Sequence, residues 1–345
     1  MKALVRQSYK SGDLVLKDMP EPSPGEGQAK VKVEYAGICG SDTKSWHRDM
    51  EPGLKLRVPR ITGHEGVGIV VELGSGVTNV AVGDRVAAET TVTSCGECRF
   101  CRVGRPGMCA NRQGLGTGAD GYFAEYVIAA ANGCHKIPEH VDPKGAAVLE
   151  PLGCAVKGVI QHSRELPGDV AVVFGPGAIG QCTAQVAKAA GAHVIMVGTP
   201  HSRSRLEVAR RLCADQIMVS GEQDVASEVM ALTDGQGADI VYEAVGSQAA
   251  FGEALRCVRK LGQFVVLASA GVEIPFNVRW FFARQITMIA AVSCDPLSWD
   301  YATNLLNRGL VNLSALVTDV FPLEEWFTAF TKAEGHEGIK ILLKP

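Results

Sequence analysis

Apolar and polar positions alternate with a period of two through much of the first 90 residues, the signature of half-buried strands. Ala3-Leu4-Val5 opens a strand, Leu14-Val15-Leu16 reads as its partner, and residues 20–27 form a turn-rich connection. Residues 31–35, 66–73 and 83–87 continue the pattern. Periodicity is lost over residues 91–120, which are rich in cysteine and glycine, and returns in a strand at 124–128. From residue 168 to about 291, short apolar runs alternate with helical periods. Strands are predicted at 170–174, 193–197, 216–219, 239–245, 263–268 and 286–292, and helices at 178–190, 203–212, 224–232 and 248–260. Six strands separated by helices predict an α/β fold with a doubly wound parallel sheet. A helical stretch at 298–308 follows, and another at 323–334 and a strand at 339–343 are expected to fold back onto the first domain. The expected organisation is a β-rich domain of residues 1–153 and 293–345, with a lobe at 91–113, interrupted by an α/β domain of residues 154–292.

The first strand of the α/β domain, VAVVF, breaks into Gly175-Pro176-Gly177-Ala178-Ile179-Gly180 and then a helix-forming run. Strand, glycine turn and helix in this order predict a dinucleotide site. Gly175 permits the turn, Gly177 lets backbone approach a pyrophosphate, and Gly180 lets helix and strand pack closely. The helix N-terminus, beginning at Ala178 and Ile179, offers free N–H groups and a positive dipole end to phosphate. Gly191-Ala192 and the apolar run at 193–197 follow at the spacing of a βαβ unit, which lifts the pattern above an ordinary glycine turn.

Eleven cysteines in a chain without a signal-like N-terminus suggest metal ligation and buried thiols rather than a disulfide framework. Cys95, Cys98, Cys101 and Cys109 give C-x2-C-x2-C-x7-C. Four thiolates on a segment with little to bury suit a closed tetrahedral zinc site that supplies folding energy. An iron–sulfur cluster and free thiols are the rivals, and the lack of a second cluster motif disfavours the first. No ligand position is left open, so the expected role is structural. Net charge is -3 and there is no basic stripe, which argues against nucleic acid as a partner. With no run of about 18 apolar residues, a membrane span is not expected, and a cytoplasmic location is.

A second set of donors lies outside the lobe. Gly37-Ile38-Cys39-Gly40-Ser41-Asp42 follows a strand, Gly63-His64-Glu65-Gly66 comes soon after, and Glu150 sits in VLEPL before the α/β domain. Singly, Cys39 reads as a small buried hydrophobe, His64 as a bonded turn residue, and Glu65 or Glu150 as a solvated or capping acid. Jointly, a thiolate, an imidazole and a carboxylate suit a zinc that keeps one position open. These motifs, with VGDRV at 82–86, the cysteine lobe, GPGAIG and the IKILLKP terminus, make the chain similar to the medium-chain zinc-dependent alcohol dehydrogenases over essentially its whole length. The similarity is greatest to their sorbitol (polyol), threonine and glucose dehydrogenase branch.

The resemblance implies a GroES-like catalytic domain, a Rossmann domain, a cleft between them, and a homodimer or homotetramer. It implies that Cys39, His64 and Glu65 or Glu150 surround a catalytic zinc, the two acids exchanging with water as ligands, and that Ser41 relays the alcohol proton. The reaction it implies is hydride transfer between a secondary alcohol (polyol, sugar, cyclitol or hydroxy amino acid) and NAD(P). One departure stands out. Relatives often carry a histidine three residues after the relay hydroxyl, where this chain has Lys44, and an ammonium cannot accept a proton. His47 is the substitute within reach in sequence, and reads first as a surface histidine. The competing readings are a zinc-free quinone or enone reductase of the same superfamily and a non-catalytic binding protein on this fold. Cys39, His64 and Glu65 oppose both.

The second strand of the α/β domain ends in Gly198-Thr199-Pro200-His201-Ser202-Arg203-Ser204-Arg205, without the acid that would hold a ribose hydroxyl pair. Thr199, Ser202, Arg203 and Arg205 favour the 2′-phosphate of NADP over NAD. The other cysteines, Cys154 and Cys294 among them, read as core or surface thiols, and Trp280-Phe281-Phe282 as core or subunit contact.

Overall fold

The computed structural model describes residues 1–49, 56–269, 271 and 273–345. They form two compact units, one of residues 1–150, 294–307 and 313–345, the other of residues 151–293 and 308–312. No helix among the described residues is long and apolar enough to cross a membrane.

The first unit is built on β-sheet. Lys2–Arg6 pairs antiparallel with Leu14–Asp18 and with Arg60–Ile61. A larger sheet runs in the order Cys134–Lys136, Arg85–Ala88, Glu65–Leu73, Gln28–Gly37, Lys340–Lys344, Val317–Pro322, with Tyr126–Ala130 also pairing with Gln28–Gly37. Its alternating inward residues, including Val31, Val33, Val70, Val86 and Leu343, form a core with Tyr122, Phe123 and Phe330. Two registers position the site: Gly37 lies opposite Glu65, and Leu342 also pairs with Gly37. The C-terminal strand therefore runs beside the strand that delivers Cys39. The region around Cys39, left without an element by periodicity, is the helix Gly40–Trp46. Glu150 lies on a further helix, Leu149–Val156.

The second unit is a six-stranded, all-parallel sheet in the order Gln216–Val219, His193–Gly198, Val170–Phe174, Ala238–Glu243, Val258–Val266, Thr287–Ala290. Numbered along the chain, that is 3-2-1-4-5-6, the doubly wound Rossmann order, whose direction reverses between the first and fourth strands. The helices Ala178–Ala190 and Arg203–Leu212 match the periodicity to the residue. The expected helix at 248–260 does not reach its end: it stops at Cys257, and Val258–Val266 is strand. Val258 pairs with Ala238 in the parallel ladder, and this tertiary partner overrides the helical period of Val258, Arg259 and Lys260. The segment with Trp280, Phe281 and Phe282 is a short helix, Val278–Arg284, with the Asn277 side chain accepting a hydrogen bond from the Trp280 N–H.

Candidate functional site

The sulfurs of the cysteine lobe converge. Sγ–Sγ separations are 3.5 Å for Cys98–Cys101 and Cys95–Cys109 and 4.0 Å for Cys95–Cys101. A tetrahedron with Zn–S bonds of about 2.3 Å has edges of about 3.8 Å, whereas a disulfide needs about 2.05 Å. The donor set therefore fits a tetrahedral zinc. Backbone N–H groups support the thiolates: Cys98 N–H donates to Cys95 Sγ and Asn111 N–H to Cys109 Sγ. Hydrogen bonds from the Cys95 and Asn111 backbone lower the Cys109 thiol to about 6.

The second donor set is drawn from elements far apart in sequence. One ligand atom each from Cys39, His64 and Glu65 lies within 4.8 Å of the others. Cys39 caps the helix Gly40–Trp46, and His64 and Glu65 stand where the strand Glu65–Leu73 begins. Asp42 joins them: one carboxylate oxygen accepts the Cys39 N–H at 3.0 Å, and the other lies 3.5 Å from His64 Nδ1. A carboxylate on one imidazole nitrogen fixes ring orientation and leaves the other nitrogen for a metal. Burial opposes the His64 cation, but Asp42 and then Cys39 outweigh it and hold the imidazole well above its usual range. Cysteine, histidine and carboxylate in this proximity fit a zinc centre with an open position.

Glu65 is fully buried and has a counter-ion that periodicity did not indicate. Lys340 Nζ donates to both its oxygens, at 2.9 and 2.6 Å, and to the Ile38 carbonyl at 3.1 Å. Burial disfavours the Lys340 ammonium, yet Glu65 and Cys39 more than compensate and raise it. Gly37 makes the pair possible, since a Cβ there would lie 2.3 Å from Glu65 Oε2. The glycine two residues before Cys39 thus clears room for a carboxylate one strand away. Glu150 is buried but falls outside the 4.8 Å group of Cys39, His64 and Glu65; Cys294 Sγ lies 3.8 Å from its Oε1. Cys294, read as an ordinary thiol, therefore adjoins a candidate ligand. Ser41 is exposed at the start of the Cys39 helix, and His47 Nε2 is engaged by Glu334 at 3.1 Å on the surface.

In the second unit, Gly175 has φ +97° and its N–H donates to the Val197 carbonyl, so the turn needs glycine there. A Cβ at Gly180 would lie 1.8 Å from the Gly175 carbonyl oxygen. Gly177 is different: its φ is -80°, and a Cβ there would meet nothing within 4 Å. Ala178 and Ile179 begin the helix, and the fully buried Gln181 donates to the Arg205 carbonyl at 2.7 Å. This bond ties the turn to the helix that carries the arginines. The Ser202 hydroxyl is buried and bound to the Thr199 backbone, receiving its N–H and donating to its carbonyl. Thr199 itself is exposed, Arg203 pairs with Glu222, and Arg205 is half-buried, its pKa lowered by that burial.

Residues 25–139 match the alcohol dehydrogenase GroES-like domain, and residues 178–308 match the zinc-binding dehydrogenase domain. The chain is 40% identical to a sorbitol dehydrogenase of Halalkalibacterium halodurans over 100% of its length and 99% of the relative's. It is 37% identical to a D-arabitol-phosphate dehydrogenase of Enterococcus avium, covering 100% of this chain and 97% of that one. Among solved structures, a zinc-binding dehydrogenase of Sinorhizobium meliloti bound to NADP superposes with a TM-score of 0.90 at 28% identity, covering 100% and 99% of the two chains. Full-length similarity to enzymes and matches in both units lead to one conclusion: the chain belongs to the medium-chain, zinc-binding alcohol dehydrogenase family and is a dehydrogenase.

Proposed function

We propose that the protein transfers hydride between a secondary hydroxyl of a polyol-class substrate and NADP, at a zinc held by Cys39 and His64 with Glu65 or Glu150. The observation that carries the reading is the Cys39–His64–Glu65 group, with Asp42 bonded to its first two members. When bound, zinc supplies Lewis acidity to the substrate oxygen and the nicotinamide supplies the hydride acceptor. The remaining work belongs to side chains. Asp42 orients the imidazole and fixes the helix start that presents Cys39. Lys340 neutralises Glu65, so the carboxylate adds little net negative charge beside the metal. Ser41, two residues beyond Cys39 and exposed, accepts the alcohol proton at Oγ and passes its own outward. His47 is committed to Glu334, which leaves Ser41 to deliver its proton to water.

The cofactor preference rests on the end of the strand His193–Gly198. No acid follows it; Thr199 and Arg205 remain for a 2′-phosphate, with Arg203 available if it exchanges Glu222. Exposed ion pairs are worth about 0–1 kcal/mol, so that exchange is inexpensive. The open space at Gly177 supports backbone approach to a pyrophosphate. A zinc in the cysteine lobe and assembly as a homodimer or homotetramer complete the proposal. Val278 and Phe282, exposed on one short helix, offer apolar surface for such assembly. The test is a panel of polyols, phosphorylated polyols, sugars and hydroxy amino acids, followed by reduced-nicotinamide absorbance with each cofactor. Turnover of a secondary alcohol with higher kcat/KM for NADP is expected. Unchanged activity after metal removal, or a strong preference for NAD, overturns the corresponding part.

A further inference from the structure

The second unit contains a buried acid that the reaction does not use. Glu243 ends the fourth strand of the parallel sheet, at the point where strand order reverses, and is fully buried. Its Oε1 accepts the N–H groups of Val245 and Gly246, both at 2.8 Å, while Oε2 has no hydrogen-bond partner. No cation pairs with it among the described residues. Burial raises its pKa, which the two backbone hydrogen bonds oppose without cancelling. Leaving a carboxyl half-satisfied in the interior is costly, and such groups in native structures call for an explanation.

What Glu243 holds is the turn after the strand. Its main-chain carbonyl receives Leu267 N–H at 2.8 Å, and Ala244 N–H donates to the Phe174 carbonyl at 2.9 Å. The turn is thereby fixed against the last residue before the glycine motif. Val245, at its tip, is 45% exposed although apolar, and its Cγ2 lies 2.8 Å from where a Cβ on Gly175 would be. An exposed valine pressed against the glycine turn is surface that a planar or sugar-bearing ligand can cover.

We propose that Glu243 is a positioning residue for the dinucleotide: its buried carboxyl clamps residues 244–246 so that Val245 stands beside Gly175 as an apolar wall for the bound cofactor. The inference rests on the proposed nicotinamide-dependent reaction and adds a determinant outside the glycine motif. A neutral carboxyl or amide serves this purpose, because the clamp needs an acceptor for two N–H groups and a net charge would repel the pyrophosphate.

The test measures dissociation constants of NADPH and NADH by reduced-nicotinamide fluorescence in the zinc-loaded protein, with kcat and KM alongside. Glu243→Gln keeps an acceptor for both N–H groups and holds cofactor affinity within about twofold. Glu243→Ala removes the acceptor of two part-buried N–H groups and weakens cofactor binding by about tenfold, raising cofactor KM far more than it lowers kcat at saturation. Val245→Ala, at a position 45% exposed, weakens binding by roughly threefold. The inference is lost if Val245→Ala binds like the parent. It is equally lost if a folded Glu243→Ala variant does so, or if Glu243→Gln is as impaired as Glu243→Ala. A parent protein that binds neither reduced nicotinamide removes the proposed function itself, a result distinct from these.

Discussion

The two groups of metal-type donors in the first unit are held in opposite ways. In the lobe, four sulfurs come from fifteen residues of chain, and the hydrogen bonds on them come from neighbouring backbone N–H groups. The Cys39 group gathers donors from a helix start and a strand start. Its supports are a carboxylate on the helix and an ammonium 275 residues beyond Glu65. A local chelate carries its own geometry and can fold around its ion. A dispersed one exists only when the sheet that assembles it is complete, so its supporting residues matter nearly as much as its ligands.

The largest expected effect separates the two directly. Cys39→Ser is expected to lower kcat/KM by about a thousandfold or more while the lobe keeps its metal. Metal analysis should then give one zinc per chain instead of two. Cys98→Ser should do the converse: the lobe loses zinc and Tm drops by about 5–10 °C, with activity per folded molecule largely retained below the transition.

Lys340→Met tests the counter-ion. It leaves the buried Glu65 charge unpaired and should destabilise the protein by about 3–5 kcal/mol in denaturant titration. Adding Glu65→Gln to Lys340→Met should restore most of that loss; a double variant no more stable than Lys340→Met alone would show that the pair is not what sets the cost.

Glu165 sharpens the contrast, because it is an acid without a cation among the described residues. It accepts the Tyr242 hydroxyl at 2.7 Å, its other oxygen has no partner, and burial pushes it up to about 7 against a reference of 4.5. The folded state thus holds this proton more tightly than the unfolded chain. The stability it gives is complete below about pH 4.5, declines as pH rises, and is gone above about 7. Glu165→Gln should remove that slope, so the variant gains on the parent across this window by on the order of 2 kcal/mol, allowing for partial exposure. Denaturant midpoints at pH 5 and pH 8 check the sign.

The smallest effect concerns support for a ligand. Asp42→Asn keeps side-chain size but weakens the hold on His64, and should cost about tenfold to a hundredfold in zinc affinity at the Cys39 centre without touching the lobe. Competition with a chromophoric chelator reads both sites at once.

The same distinction explains what was legible. The strand Val170–Phe174 and the helices Ala178–Ala190 and Arg203–Leu212 follow from local period and glycine placement, since a βαβ unit is specified by contiguous residues. Cys39, His64 and Glu65 could be singled out by residue type and flanking glycines. Asp42 had a fainter signal, three residues past the capping Cys39, where an acid reaches back to the capping N–H. Lys340 and Cys294 had none, because their partners lie 275 and 144 residues away. The first residues of the strand Val258–Val266, which local period places in a helix with the strand starting at 263, are decided for the same reason, since the pairing of Val258 with Ala238 is made only within the sheet.

By itself, the sequence determined the alternation of strands and helices around the glycine turn, the turn itself and the four-sulfur lobe. Each depends on residues close enough along the chain for covalent geometry to set their spacing. Which carboxylate meets Cys39 and His64, which lysine neutralises it, and which buried acids lack a cation were decided by tertiary structure alone. Electrostatic partnership falls with distance in space and takes no account of distance along the chain.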